Sequence, residues 1–241
     1  MKVYIQTDEA GEYYNVNAYV AATGFKSLGF EVIKYVDSDE VAALDPHSIF
    51  VGGVGMVRKR LNKLGLEKSD EMEYPSELQE FLNRKVWTST LNKLIVNQQT
   101  GIFIKPVRTK LFPGKVIRRF GDYVGLKYDD EVEVWCSEIV DLITEWRCFI
   151  RYGEILDVRY YKGNWDSRLN LEIVHDAISK YKTQPNSYCL DFGVDADGKH
   201  YLVEVNDGHS LGTYGMGAIS YAKFLSARWA ELTNTEDSLN F

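Results

Sequence analysis

The chain has 241 residues, 45% of them apolar and 26% charged, and a formal net charge of -7. That length carries a sizeable core in one large or two smaller domains, and the acidic balance disfavours nucleic acid as a bulk partner, leaving room only for a local basic groove. No apolar run is long enough to span a bilayer, and Lys2 is followed at once by a short strand pattern and then by Asp8 and Glu9 rather than by a leader, so the expectation is a cytoplasmic protein. Cys136, Cys148 and Cys189 each sit in a strand-like stretch without metal spacing, which reads as buried thiols in a reducing compartment.

The first segment, to about Leu66, alternates strands and helices. VYIQT is a short buried strand. Asn15 to Leu28 carries helical spacing and is stopped by Gly29, EVIKYV and SIFVGG are further strands, and VGMVRKRLNKLG is a helix. This pattern predicts a small parallel α/β unit. The turn Gly52-Gly53-Val54-Gly55 reads first as a tight strand-to-helix connection and second as an anion loop. The charged, turn-like run from Glu67 to Tyr74, followed by Pro75, marks a domain boundary. Beyond it, helices are expected over about Ser76 to Asn83, with Ser76 as cap, and over about Lys85 to Asn97.

In GIFIKPV, Ile102 and Ile104 share one strand face and Phe103 and Lys105 the other, with Pro106 ending the strand or confining it to an edge. A lysine on a mostly apolar strand is costly unless its ammonium reaches water or an anion. The Pro-Gly turn that follows, flanked by Lys110 and Lys115, suits either a basic flap over an anionic ligand or a solvated hairpin. Asp130, Glu131 and Glu133 cluster just beyond it and read as a solvated edge. Glu133 to Ile143, EVWCSEIVDLI, is strand-like and ends in an acidic connector.

Two hairpins follow. In EWRCFIRYGEILDVRYYKG a three-residue turn at Gly153 sets residues summing to 306 opposite each other. Trp146, Cys148 and Ile150 then share a face with Leu156, Val158 and Tyr160, and Arg147 lies opposite Arg159 among Glu145 and Arg151. Opposed arginines need a counter-ion, so they read as an anion clamp unless Glu145 neutralises them. After an amphipathic helix over Asn170 to Lys182 comes YCLDFGVDADGKHYLVEVN. If Asp197-Gly198 is a two-residue turn, residues summing to 395 face each other, and Asp191 lies opposite Glu204 with Asn206 on the same face. Two carboxylates and an amide oxygen gathered in this way suit a hard cation such as magnesium; an acidic solvated face is the other reading. The four glycines of GHSLGTYGMG bring backbone close to a ligand or give a flexible loop. A last helix covers about Ile219 to Leu232, and the final residues read as frayed.

With these segments in order, the chain resembles the ATP-grasp superfamily, and most resembles the clade named for two arginines and a lysine, found in phage and bacterial genomes. FIKP, CSEIV, EWRCFIRYGEI and LDFGVDADGKHYLVEVN carry the likeness, which covers roughly Lys85 to Met216. The resemblance implies an α/β (α+β) ATP-grasp fold: a Rossmann-like prelude over 1–74, a small lobe over 75–143 and a large lobe over 144–241, the two lobes clasping ATP. It implies that Lys105 contacts the ATP phosphates, that Glu138, Ile139 and Val140 line adenine and that Glu145 holds the ribose. Asp191, Glu204 and Asn206 would bind Mg2+, and Arg147 and Arg159 the transferred phosphate or a substrate carboxylate. The activity implied is ligation of a small-molecule or peptide carboxylate to an amine acceptor through an acylphosphate. A phosphotransferase or a non-catalytic nucleotide-binding module on the same fold are the alternatives. The chain is shorter than typical ligases of this superfamily, so the acceptor site would be assembled from the prelude, the Gly208 to Gly217 loop or a partner.

Overall fold

The computed structural model describes residues 1–42, 45–66, 72–107, 111–126 and 131–241. Lys110 and Asp130, and with them part of the basic flap and of the acidic cluster, lie outside the described residues, as does most of the boundary run at 67–71. Among the described residues no helix is long and apolar enough to cross a membrane. Cys136, Cys148 and Cys189 are free and buried.

The N-terminal unit contains β1 (Lys2–Gln6), α1 (Val16–Ser27), β2 (Glu31–Tyr35), β3 (Ile49–Val51) and α2 (Val54–Lys63). Its three strands are parallel in the order β2-β1-β3. Asn15 caps α1 by accepting from the Ala18 amide at 3.0 Å, and Gly29 ends that helix in the left-handed region. The Gly52–Gly55 turn is a packing device: a Cβ on Gly52 would come 2.2 Å from the Tyr35 hydroxyl, and the Gly53 amide already donates to Gln6 Oε1 at 2.8 Å.

A 3₁₀ turn over Ser76–Phe81 follows; Ser76 is its first residue rather than its cap, and Pro75 precedes it without a side-chain capping bond. The helix expected over Lys85 to Asn97 is instead a strand followed by a short helix, β4 (Val86–Thr90) and α3 (Leu91–Val96), with Thr90 capping the helix. VWTST is aromatic and β-branched, and it pairs antiparallel along its whole length with a strand nearly fifty residues away, so tertiary pairing decides over helical spacing. With β5 (Ile102–Pro106), β6 (Lys115–Ile117) and β7 (Glu133–Glu138) it forms a four-stranded sheet in the order β4-β7-β5-β6. Strand β5 is therefore not an edge strand. Pro106 is tolerated because β6 reaches only Ile102 to Ile104, leaving that end with β7 as its one neighbour.

The second four-stranded sheet, in the order β11-β10-β8-β9, contains β8 (Leu142–Arg151), β9 (Glu154–Gly163), β10 (Ser187–Asp195) and β11 (His200–Asp207), with α4 (Leu171–Lys180) between the hairpins. Both registers depart from the simple sums. The β8–β9 turn is the two residues Tyr152-Gly153, and a bulge between Phe149 and Ile150 restores the sum of 306 that sets Arg147 opposite Arg159. In β10–β11 the turn is Ala196 to Gly198, closed by the Asp195 amide on the Lys199 carbonyl at 3.1 Å; a bulge at Asp191/Phe192 then brings Asp191 opposite Glu204.

The last helix, α5 (Ala218–Thr233), joins the two ends of the chain. Gly24 of α1 packs so close to it that a Cβ there would meet the Ala218 carbonyl, and Trp229 donates to the Pro46 carbonyl at 2.9 Å. Tyr221, Phe224, Leu225 and Trp229 enter one core with Val3, Ile5 and Phe25. At about 1.5–3 kcal/mol for each fully buried large side chain, this face anchors the N-terminal unit to the large sheet. The terminal residues are docked rather than frayed: Leu239 is buried, and Asp237 receives Arg151 Nη2 at 2.9 Å.

Candidate functional site

A cavity of about 420 Å³ opens between the two four-stranded sheets. Volumes of that order hold small molecules. Phe103 and Lys105 of β5, the connector from Glu138 to Asp141, Glu145 of β8 and Glu204 of β11 line it. The alternation of β5 makes this possible: Ile102 and Ile104 are buried in the small-sheet core, and Phe103 and Lys105 turn the other way, into the cavity.

Lys105 reaches across to the large sheet. Its Nζ lies 2.9 Å from Glu204 Oε2 and 3.3 Å from Glu73 Oε2, with the Tyr74 ring centroid at 4.8 Å. Burial pulls the ammonium pKa down, but Glu204, Tyr74 and Glu73 outweigh it and the net direction is up. Glu204 moves down: burial opposes this, and Lys105, Asn206 and Arg147 overcome it.

Asp191 lies on the central strand β10 and is fully buried. Arg147, its register neighbour on β8, donates to it twice, Nε to Oδ1 at 2.8 Å and Nη2 to Oδ2 at 2.6 Å. Desolvation nevertheless pushes the Asp191 carboxyl up, to about 6, against the pull of Arg147. Asn206 joins the two acids, its Nδ2 2.9 Å from Glu204 Oε1 and 3.4 Å from Asp191 Oδ2. Asp191, Glu204 and Asn206 thus form one constellation of hard donors, once the amide turns its oxygen inward. That chemistry fits magnesium. Among the described residues no group of three or more His, Cys, Asp or Glu forms a metal cage, and here the third donor is an amide.

The arginines have separate partners. Arg159 donates through Nε and Nη2 to Asp157, two residues away on its own strand, and not to Glu145. Glu145 accepts from Tyr161 Oη at 2.8 Å and from Lys162 Nζ, so it is not the neutraliser of the arginine pair. Arg147 is covered by the Tyr214 ring at 4.6 Å, and Tyr214 packs on Tyr161 at 5.2 Å. Tyr214 stands on the glycine-rich loop, which Asn17 of α1 holds by accepting from the Thr213 amide at 2.9 Å. At the connector, Glu138 exchanges hydrogen bonds with Lys85, its Oε2 accepting at 2.9 Å, while Ile139 and Val140 line the cavity.

Sequence reasoning missed Glu73, Tyr74, Tyr161 and Tyr214. Tyr161 was available, because two residues beyond Arg159 on a strand means the same face. The other three lie in connecting segments, where no periodicity points.

A model of the ATP-grasp domain, R2K clade family 2, matches residues 81–224. No curated protein matches the chain. Among solved structures, the ATP complex of D-alanine–D-alanine ligase from Bacillus anthracis superposes with a TM-score of 0.61 at 15% identity, covering 97% of this chain and 97% of that one. The RimK domain ATP-grasp protein from Sphaerobacter thermophilus gives 0.62 at 11% identity over 93% of this chain and 99% of that one. The D-cycloserine synthetase DcsG gives 0.60 at 11% over 95% and 100%.

Proposed function

This chain belongs to the ATP-grasp domain family, R2K clade family 2, and from that premise we propose that it is an ATP-dependent ligase joining a carboxylate to an amine through an acylphosphate. The observation that carries the reading is the meeting of Lys105 and Glu204 at 2.9 Å, inside a cavity that the Glu138–Asp141 connector also lines. A lysine of one sheet and a carboxylate of the other then act on the same anionic ligand.

In this reading adenine lies against Ile139 and Val140, the ribose near Glu145 and the phosphates at Lys105. Asp191, Glu204 and Asn206 would hold magnesium, and the ion would supply positive charge for the phosphate oxygens. A substrate carboxylate oxygen attacks the γ-phosphorus, the bond to the bridging oxygen of ADP breaks, and an acylphosphate forms. An amine nitrogen then adds to the acyl carbon, phosphate leaves and the nitrogen loses a proton. The guanidinium of Arg147 has five N–H donors, of which Asp191 takes two, so it keeps donors for the transferred phosphoryl group. Arg159 would supply the second positive charge after exchanging Asp157 for the substrate. Tyr214 and its loop support exclusion of water from the acylphosphate. D-alanine–D-alanine ligase and the L-amino acid ligase from Bacillus licheniformis share the fold, at identities that speak to fold alone.

The test is the melting temperature with magnesium alone, ATP alone and both. A ligand a hundredfold above its dissociation constant adds about 2.7 kcal/mol. A shift that needs both supports the nucleotide site; no shift removes it. ADP release that depends on an added amine, with a new amide in the product, then separates ligation from phosphoryl transfer alone.

A further inference from the structure

Strand β9 is the outer strand of the large sheet, and among the described residues no strand pairs with its free side. In an antiparallel pair alternate residues turn their N–H and C=O groups away from the neighbour. The Val158 amide donates to the carboxylate of the preceding Asp157 at 2.8 Å, the local bond of a donor with no strand to meet. The two register shifts against β8 fall on either side of Asp157 to Tyr160, so that stretch is regular. The charges of β9 run in a fixed order, with Glu154 and Asp157 in its first half and Arg159 and Lys162 in its second. Tyr160, 36% exposed, lies among them, and Trp165, 72% exposed, follows the strand, so apolar surface borders the open edge at its basic end.

An edge guarded against pairing repels its own copy, by like charge or by a bulge that turns it away. The charge order of β9 does the reverse. With Val158 opposite itself across a two-fold axis, antiparallel pairing sets Asp157 opposite Arg159 of the second copy, twice over, and brings Glu154 toward Lys162. Opposite charges in facing positions favour a strand pair. We propose that β9 pairs antiparallel with β9 of a second copy of this chain, the axis passing at Val158, and joins the two large sheets into one. The interface is isologous, so every contact occurs twice. It sets Asp157 of the second copy beside Arg159, which already donates to the Asp157 of its own chain through Nε and Nη2. The second copy thereby contributes a carboxylate next to an arginine of the candidate site. The pairing does not depend on the nucleotide reading of the cavity.

The experiment is sedimentation velocity on the full chain across the micromolar range, where wild type should approach twice the 27.6 kDa of one chain. Asp157→Arg makes the facing pair wholly cationic and Arg159→Asp makes it wholly anionic. Each alone should raise the dimer dissociation constant by about tenfold or more, the scale of like charges set opposite each other at an interface. Mixing the two variants should restore a one-to-one dimer, and so should the exchanged chain carrying both substitutions, because opposite charges then face each other again. Either recovery also separates lost pairing from a folding defect. A monomeric wild type overturns the proposal. A dimer that neither charge reversal weakens overturns it too, since its interface then lies elsewhere, as does failure of both the mixture and the exchanged chain to associate.

Discussion

Lys105 and Glu204 join the two sheets: the ammonium of β5 lies 2.9 Å from a carboxylate oxygen of β11. The ion pair spans the cavity, so the same two side chains couple the sheets without ligand and would separate to receive one. Both are largely withdrawn from water, Lys105 with 12% of its side chain exposed and Glu204 with 29%. An ion pair in that environment is electrostatically stronger than a surface pair and more costly to leave half made.

Lys105→Ala should therefore have two effects of different size. Stability should fall by about 1–3 kcal/mol, the cost of leaving a partly buried acceptor without its charged donor. The magnesium- and ATP-dependent rise in melting temperature should be lost. A variant that melts lower but keeps the full nucleotide shift would remove Lys105 from phosphate binding.

Arg147 and Asp191 give a sharper case, because Asp191 is fully buried and its two oxygens take two donors from one guanidinium. Arg147→Leu strands a buried carboxylate and should cost about 3–5 kcal/mol, whereas Arg147→Leu with Asp191→Leu should recover much of that loss. At about 2–4 °C per kcal/mol for a chain of this size, chemical denaturation and melting both resolve the difference. Equal losses in the single and double variants would show that the pair does not carry the stability.

The pH dependence follows from the same acid. Burial raises the Asp191 carboxyl to about 6, whereas an unfolded aspartate titrates near about 3.9. Between those values the folded protein binds more protons than the unfolded chain, so the contribution of Asp191 is fully present below the lower value and is lost as pH rises through the upper one. Glu204 is shifted down, so its contribution has the opposite sign, present above the ordinary carboxylate range and lost as pH falls. In metal-free buffer the stability difference between wild type and Asp191→Asn should change between about pH 4 and pH 6 in favour of the variant as pH rises. A difference that stays flat through that window would contradict the raised carboxyl.

Much of this site was legible in the sequence because strands repeat every two residues. That rule alone puts Lys105 with Phe103 and Glu204 with Asn206, and a turn placed at Gly153 adds Arg147 opposite Arg159. Both hairpins reach the expected pairing by another route, each through a turn that differs from the assumed one by one residue and a bulge that compensates. A bulge has no local spacing signal, so the registers could be right at the site and wrong at the turns. Val86 to Thr90 was not legible as a strand, because its partner begins at Glu133 and the preference is settled by that pairing. Glu73 was illegible for a similar reason: its place beside Lys105 depends on how a connecting segment lies across two sheets.

The C-terminal tail supplies the last prediction. Asp237 belongs to the tail that reads as frayed by sequence, four residues before Phe241, yet its side chain is 3% exposed. It accepts from Arg151 Nη2 at 2.9 Å, from Tyr152 Oη at 2.9 Å and from Ser226 Oγ at 2.5 Å, and the buried Leu239 follows it. Arg151 also donates to the Leu239 carbonyl at 2.8 Å. The tail therefore closes over the β8–β9 turn and α5 through charge-assisted bonds, each worth about 1.5–3 kcal/mol. Asp237→Ala removes the acceptor and leaves the Arg151 guanidinium short of a counter-charge, so unfolding free energy should fall by about 3 kcal/mol or more. Asp237→Asn, which keeps one acceptor oxygen, should lose less. Denaturant titration of both variants measures this directly: a frayed terminus would leave the midpoint of either unchanged, whereas a docked one moves both, with alanine the further.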